Sequence, residues 1–184
     1  MKTIVLYTSK TGNTAKYAEE IASQVGADAK PLKKFRWKKE LKDYDCIVFG
    51  GWVMGGKIKG VDDFLSHYDD MHEAGKDIIV FAVGMSMPSP DGRKELISLN
   101  LLDLYRIRFY QVRGSFDMNA LKFPYSMVMK ATLNKMESDP NLTADKRALL
   151  ELRERPLVYH DDEKVAKIVN IIKTIEEQRK SQTA

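Results

Sequence analysis

Val5-Leu6-Tyr7-Thr8-Ser9-Lys10-Thr11-Gly12-Asn13-Thr14-Ala15-Lys16-Tyr17-Ala18-Glu19-Glu20-Ile21 decides the fold of this chain. It opens on a short apolar run, Ile4 to Tyr7 within Thr3–Thr8, suited to a strand buried on both faces. From Thr14 onward Ala15, Ala18, Ile21, Ala22 and Val25 recur at helical spacing. Between the two lies a hydroxyl-rich loop, Ser9-Lys10-Thr11-Gly12-Asn13-Thr14. Such a loop ends a strand and starts a helix, where free N–H groups and the positive end of the helix dipole gather, so it can hold a phosphate. Ser9, Thr11 and Thr14 offer hydroxyls, and Gly12 lets the backbone approach closely. With no ligand, Thr and Asn would serve simply to cap the helix.

The loop is neither a P-loop nor a dinucleotide fingerprint. The Gly-Lys-Ser/Thr ending of the first is missing, and so is the spaced glycine triplet of the second. One glycine among hydroxyl and amide side chains suits a terminal phosphate monoester better than a pyrophosphate. Val5, Leu6, Tyr7, Ser9, Gly12, Thr14, Ala18 and Ile21 closely resemble the phosphate-loop signature of the flavodoxin family. That resemblance implies an α/β three-layer sandwich: a five-stranded parallel sheet in the order 2-1-3-4-5 with helices on both faces. It also implies FMN as cofactor.

Composition sets the remaining bounds. At 184 residues, with 43% hydrophobic and 30% charged side chains, the sequence suits one soluble domain over residues 1–184. No apolar run approaches the length of a membrane span. The first strand begins almost at Met1, leaving no room for a signal peptide. Cys46 is the sole cysteine, which excludes an internal disulfide and fits a reducing cytoplasm. His67, His72 and His160 are scattered and show no metal-site spacing. The formal net charge is +4. Electron-carrier flavodoxins are typically acidic, so this charge departs from the family pattern.

Along the chain, Gly26 is a helix stop, and Ala27 to Phe35 reads as a second strand that contains Pro31. Proline places that strand at a sheet edge. Lys30, Lys33, Lys34, Arg36, Lys38, Lys39 and Lys42 crowd this region. They read as lysines protecting an edge, or as a basic patch for an anionic membrane surface or acidic partner. No nucleic-acid motif accompanies them. Tyr44 to Gly51, Asp77 to Gly84 and Ile107 to Val112 supply three further strands, with helices expected from Val61 and near Asp91. Gly114 to Glu154 exceeds what a minimal five-stranded unit needs and reads as an added helical segment. Its first helix carries Leu121, Tyr125, Val128, Met129, Thr132 and Met136, with Pro124 suited to the first turn; Thr143 to Glu154 forms a second. Asp161-Asp162 can cap a last helix with Val165, Ile168, Val169, Ile172 and Ile175 on one face, fraying from Gln178 to Ala184.

In the sheet order that the resemblance implies, a ligand binds beyond the C-terminal strand ends where the order reverses. Three loops meet there: Ser9–Thr14, Gly51–Lys57 and Gly84–Ser89. The expected cofactor-binding residues are Ser9, Lys10, Thr11, Gly12, Asn13, Thr14, Trp52, Val53, Met54, Gly55, Gly84, Met85 and Ser86. Trp52 can stack on the isoalloxazine, and Gly55 or Gly56 can permit the peptide turn that the family shows near the flavin. The third loop lacks the tyrosine usual in electron carriers, which would leave one ring face open to a second reactant.

These departures loosely resemble the flavodoxin-domain group that includes the menaquinone-dependent protoporphyrinogen oxidases. That likeness implies an oxidoreductase acting on an apolar tetrapyrrole with a quinone-like acceptor. It supplies no catalytic residue. The competing reading is an interaction module that binds a partner or membrane surface through its Met-rich helix.

Overall fold

The computed structural model describes residues 1–141 and 144–183. Strand β1 (Thr3–Tyr7) is buried on both faces and flanked by strands on both sides. From it the chain enters α1 (Asn13–Gln24), stops at Gly26 and returns as β2 (Asp28–Pro31), parallel to β1. A short turn of helix, α2 (Trp37–Glu40), leads to β3 (Cys46–Met54) on the other side of β1. β3 folds back through Gly55-Gly56 into the two-residue antiparallel strand β4 (Lys57–Ile58). Helices α3 (Val61–Leu65) and α4 (Tyr68–Glu73) precede β5 (Asp77–Gly84), and α5 (Pro90–Leu99) precedes β6 (Arg108–Arg113). α6 (Tyr125–Glu137), α7 (Ala144–Glu151) and α8 (Asp162–Thr183) complete the chain. The sheet order is β2-β1-β3-β5-β6. Counting only the parallel strands, this is the order 2-1-3-4-5.

Alternation along the strands divides the core in two. Ile4, Leu6, Ile47, Phe49, Val80 and Ala82 face Phe64 and Met71, which belong to α3 and α4. Val5, Val48, Ile79 and Phe81 face Tyr17 and Ile21 of α1 and Val165, Ile168 and Ile172 of α8. Each set repeats every second residue because successive side chains of a strand point to opposite faces.

Several boundaries differ from the sequence reading. β2 ends at Pro31, and Leu32–Lys34 form a 3-10 turn that buries Leu32. β3 runs on to Met54, so Trp52, Val53 and Met54 are strand residues and not part of a loop. Gly50 and Gly51 lie inside this strand. A Cβ at Gly50 would sit 2.2 Å from the Phe81 ring. On α6, Leu133 is the buried residue, whereas Val128 and Thr132 are exposed. α8 holds its helical form to Thr183, because Arg179 Nε donates to Asp77 Oδ2 at 2.8 Å and Arg179 Nη2 to Gly75 O at 2.6 Å. Thr143, expected to begin the second added helix, and Ala184, expected to fray, lie outside the described residues.

Tyr17 joins three elements. Its hydroxyl donates to Arg113 O at 2.7 Å and accepts from Asp161 N at 2.8 Å. Asp161 in turn accepts from Arg113 N at 3.1 Å and from Lys164 N at 3.2 Å, which caps α8. His160 stacks on the Tyr17 ring, with centroids 4.8 Å apart, and pairs with Glu20 at 2.9 Å. Burial pushes the Tyr17 phenol up to about 12.

Two outcomes follow for Tyr17→Phe. The variant leaves Arg113 O and Asp161 N without this partner, at a cost of about 1–3 kcal/mol in denaturant unfolding. In the wild type the folded phenol stays protonated above the unfolded value near 10, so its contribution is complete below pH 10 and is lost as pH rises through about 12. Stability measured across that window falls less steeply in the variant. An unchanged slope contradicts the assignment.

Candidate functional site

The switch in strand order leaves a crevice beyond the C-terminal ends of β1 and β3. The chain between β1 and α1 crosses it. Gly12 sits at the N-cap with φ +94°, a left-handed conformation, and no side chain caps the helix. Lys16 N donates to Gly12 O at 3.0 Å, so the N–H groups of Asn13, Thr14 and Ala15 come before the first helical hydrogen bond. Ser9 Oγ is buried and has no hydrogen-bond partner among the described residues. Buried hydroxyls are almost always paired, so this one marks a position where a ligand acceptor or donor is expected.

The three loops and the chain after β6 enclose a cavity of about 60 Å³. Lys10, Thr11, Asn13 and Thr14 line it from the first loop, and Trp52, Val53 and Met54 from the end of β3. Val83, Gly84 and Met85 come from the end of β5. Gly114, Ser115 and Phe116 follow β6, and Leu121 and Met129 line the cavity from the added segment. Of the residues expected here, Gly12, Gly55 and Ser86 lie outside the lining. Gly55 belongs to the β3–β4 turn, and Ser86 is exposed. Ser9 also lies outside the lining, with its hydroxyl buried.

The chain after β6 supplies contacts that the loop pattern alone does not reveal. Asn13 Nδ2 donates to Ser115 O, so the asparagine side chain holds this segment. Phe116 exchanges main-chain hydrogen bonds with Leu157 at 2.8 and 2.7 Å. Arg113 Nε donates to Met85 O at 3.2 Å and fixes the third loop against β6. Gly114 permits the close approach: a Cβ there would meet Val83 Cγ1 at 2.6 Å. That glycine was the one available sequence signal.

Tyr125 covers Trp52 edge-on, with ring centroids 5.3 Å apart at 76°. Lys10 Nζ lies 4.5 Å from the Tyr125 ring centroid. α6 thus places an aromatic ring against Trp52. On the chain after β6, Phe123, Met127 and Val128 are exposed.

The family model described as "Flavodoxin domain" matches residues 4–143. The chain belongs to the flavodoxin domain family. Among solved structures it is similar to a flavodoxin from the domain Archaea, with 18% identity, a TM-score of 0.41, and coverage of 84% of this chain and 97% of that one. Flavodoxin 2 from Bacillus cereus gives 20% identity and a TM-score of 0.46, covering 62% of this chain and 85% of that one. A flavoprotein in complex with FMN from Lactobacillus acidophilus NCFM gives 17% and 0.41, covering 61% and 91%. No curated protein matches the sequence.

The loop geometry separates two substitutions. Gly12→Ala forces an L-residue into a left-handed conformation and costs about 1–2 kcal/mol of unfolding free energy. Ser9→Ala removes a hydroxyl that bonds to nothing in the protein and leaves stability within about 1 kcal/mol. A larger loss in Ser9→Ala, measured by denaturant unfolding, would give that hydroxyl a structural partner.

Proposed function

We propose that this protein binds FMN in the crevice and transfers electrons through it. The observation that carries the reading is the buried, unpartnered Ser9 Oγ in a loop whose neighbouring helix opens with free N–H groups. Those donors suit a phosphate, and the helix dipole favours its negative charge. Thr11 and Thr14 add hydroxyls, while Trp52, Val53, Gly84 and Met85 provide a flat, largely apolar border suited to a ring. Bound FMN would supply the redox chemistry, and the protein would hold the phosphate, border the ring and limit water.

Volume adds a condition. Small-molecule sites generally measure about 300–1,000 Å³, and this cavity measures about 60 Å³. The donor set fits the phosphate, but a ring needs more room, and we read the segment that carries Leu121 and Met129 as the part that moves. α6 buries only Leu133 among its described residues, so displacing it breaks little packing. The narrower reading follows from this arrangement. We read residues 1–184 as one domain in which 114–154 is an addition that governs access to the crevice. Leu121, Met129 and Phe116 favour an apolar reactant, a quinone-like acceptor or a tetrapyrrole such as a protoporphyrinogen. Cytoplasmic placement accompanies this reading; among the described residues no helix is long and apolar enough to cross a membrane.

A second reading draws on the exposed Phe123, Met127 and Val128 beside Lys122 and Lys130. Apolar side chains ringed by lysines suit peripheral contact with an anionic membrane or a partner surface. Co-sedimentation with anionic vesicles separates the two readings: binding that needs Phe123 supports the second and leaves flavin binding unaffected.

Flavin titration tests the main proposal. Adding FMN should quench Trp52 fluorescence, and Trp52→Ala should lose on the order of 1 kcal/mol of binding. Trp37 stacks on His67 at 4.2 Å and serves as the control. Quenching that survives in Trp52→Ala but vanishes in Trp37→Ala overturns the placement. A protein that remains colourless and binds no FMN overturns the function.

A further inference from the structure

Among the described residues the sheet ends at β6, which pairs with β5 alone. Gly114 N donates to Gly84 O at 2.8 Å, which sets the alternation of the ladder. Arg108, Tyr110 and Val112 therefore turn their main-chain groups toward β5, while Phe109, Gln111 and Arg113 turn theirs outward. Both ends of this outer edge are occupied. Arg113 N and O are taken by Asp161 and Tyr17. Phe109 O accepts from Arg93 Nη2 at 3.3 Å. Between these brackets, among the described residues, nothing hydrogen-bonds to the Gln111 main chain, and the buried Gln111 Oε1 has no partner.

A groove of about 710 Å³ runs over this edge, between α5 and α8. Arg93 and Lys94 border it from α5, Arg108 from β6, and Lys164 and Lys167 from α8; no Asp or Glu lines it. The acids that pair with these cations stand outside the groove. Glu163 lies 2.5 Å from Lys167 and 3.7 Å from Lys164, and Asp77 lies 3.3 Å from Arg108. Lys94 is exposed and, among the described residues, makes no ion pair.

We propose that the groove along the edge of β6 docks an extended, acidic segment of a partner protein, added to the sheet as a strand beside Gln111. Bare edge groups give such a segment main-chain hydrogen bonds, and the surrounding cations select its carboxylates. Charge alone would suit any polyanion, but the unpaired main chain at Gln111 favours a peptide. The loop after β5 links this groove to the crevice: Met85 lines the crevice, and Pro88, Ser89 and Pro90 border the groove. A segment docked here would therefore lie beside the candidate redox site without entering it.

The test uses the full chain and a fluorescein-labelled peptide of alternating Glu and Val, read by fluorescence anisotropy at low salt. Gln111→Pro deletes the outward N–H and leaves the β5 ladder intact. Lys94→Glu combined with Lys167→Glu reverses charge on both walls. Each change should weaken binding by about tenfold or more, and the corresponding Lys–Val peptide should not bind. Peptide binding should also slow hydrogen exchange at the Gln111 N–H of the wild type, which decides the matter if Gln111→Pro does not fold. No binding of the Glu–Val peptide overturns the proposal. So does binding that Gln111→Pro or the charge reversal leaves unchanged, unaltered exchange at Gln111, or equal binding of a single-stranded oligonucleotide that is insensitive to Gln111→Pro.

Discussion

A strand buried on both faces must find its polar contacts in the sheet and deliver the chain to one end of it. β1 does this between β2 and β3, with Ile4, Val5 and Leu6 fully buried. Because all its long neighbours run parallel, their loops gather at the same end. The first of those loops must then start α1, and a helix start presents N–H groups that its own turns do not satisfy. Crevice, free donors and positive dipole thus arise together from the burial of one strand. Tyr17 transmits that arrangement onward, since its hydroxyl binds both the end of β6 and the entry to α8.

Local pattern made this part of the fold legible. Ile4 to Tyr7, the Ser9–Thr14 loop and the helical spacing after it lie within one short stretch, so nearest neighbours carry the signal. The run Ile78 to Val83 was equally plain, because a strand covered on both faces is apolar throughout. Where the sequence misled, long-range contacts decided the outcome. The sequence reading ends this strand at Gly51, yet β3 runs on to Met54, and the Phe81 ring, the Ile58 side chain and Lys59 O fill the space beside Gly50 and Gly51. Nothing near Arg179 announces the bonds to Asp77 and Gly75 that keep α8 helical to Thr183.

The crevice was legible on one side only. Its strand-end loops can be read from glycine, hydroxyl and aromatic residues at fixed offsets, but the wall after β6 cannot. That wall depends on Asn13 holding Ser115 and on Phe116 pairing with Leu157, contacts between distant parts of the chain. α6 was harder still. Methionine fits either face of a helix, so Tyr125–Glu137 offers several apolar stripes, and burial of Leu133 selects among them only after folding. The resulting contact sets the Tyr125 ring edge-on against Trp52.

If the phosphate donors at the start of α1 are what the crevice is built around, binding should depend on the phosphate itself. Calorimetric titration with FMN and with riboflavin, which carries the same ring without the phosphate, isolates that term. The account predicts FMN binding at least about a hundredfold tighter than riboflavin, as expected for two or more charge-assisted hydrogen bonds. Equal affinity for the two flavins would contradict it.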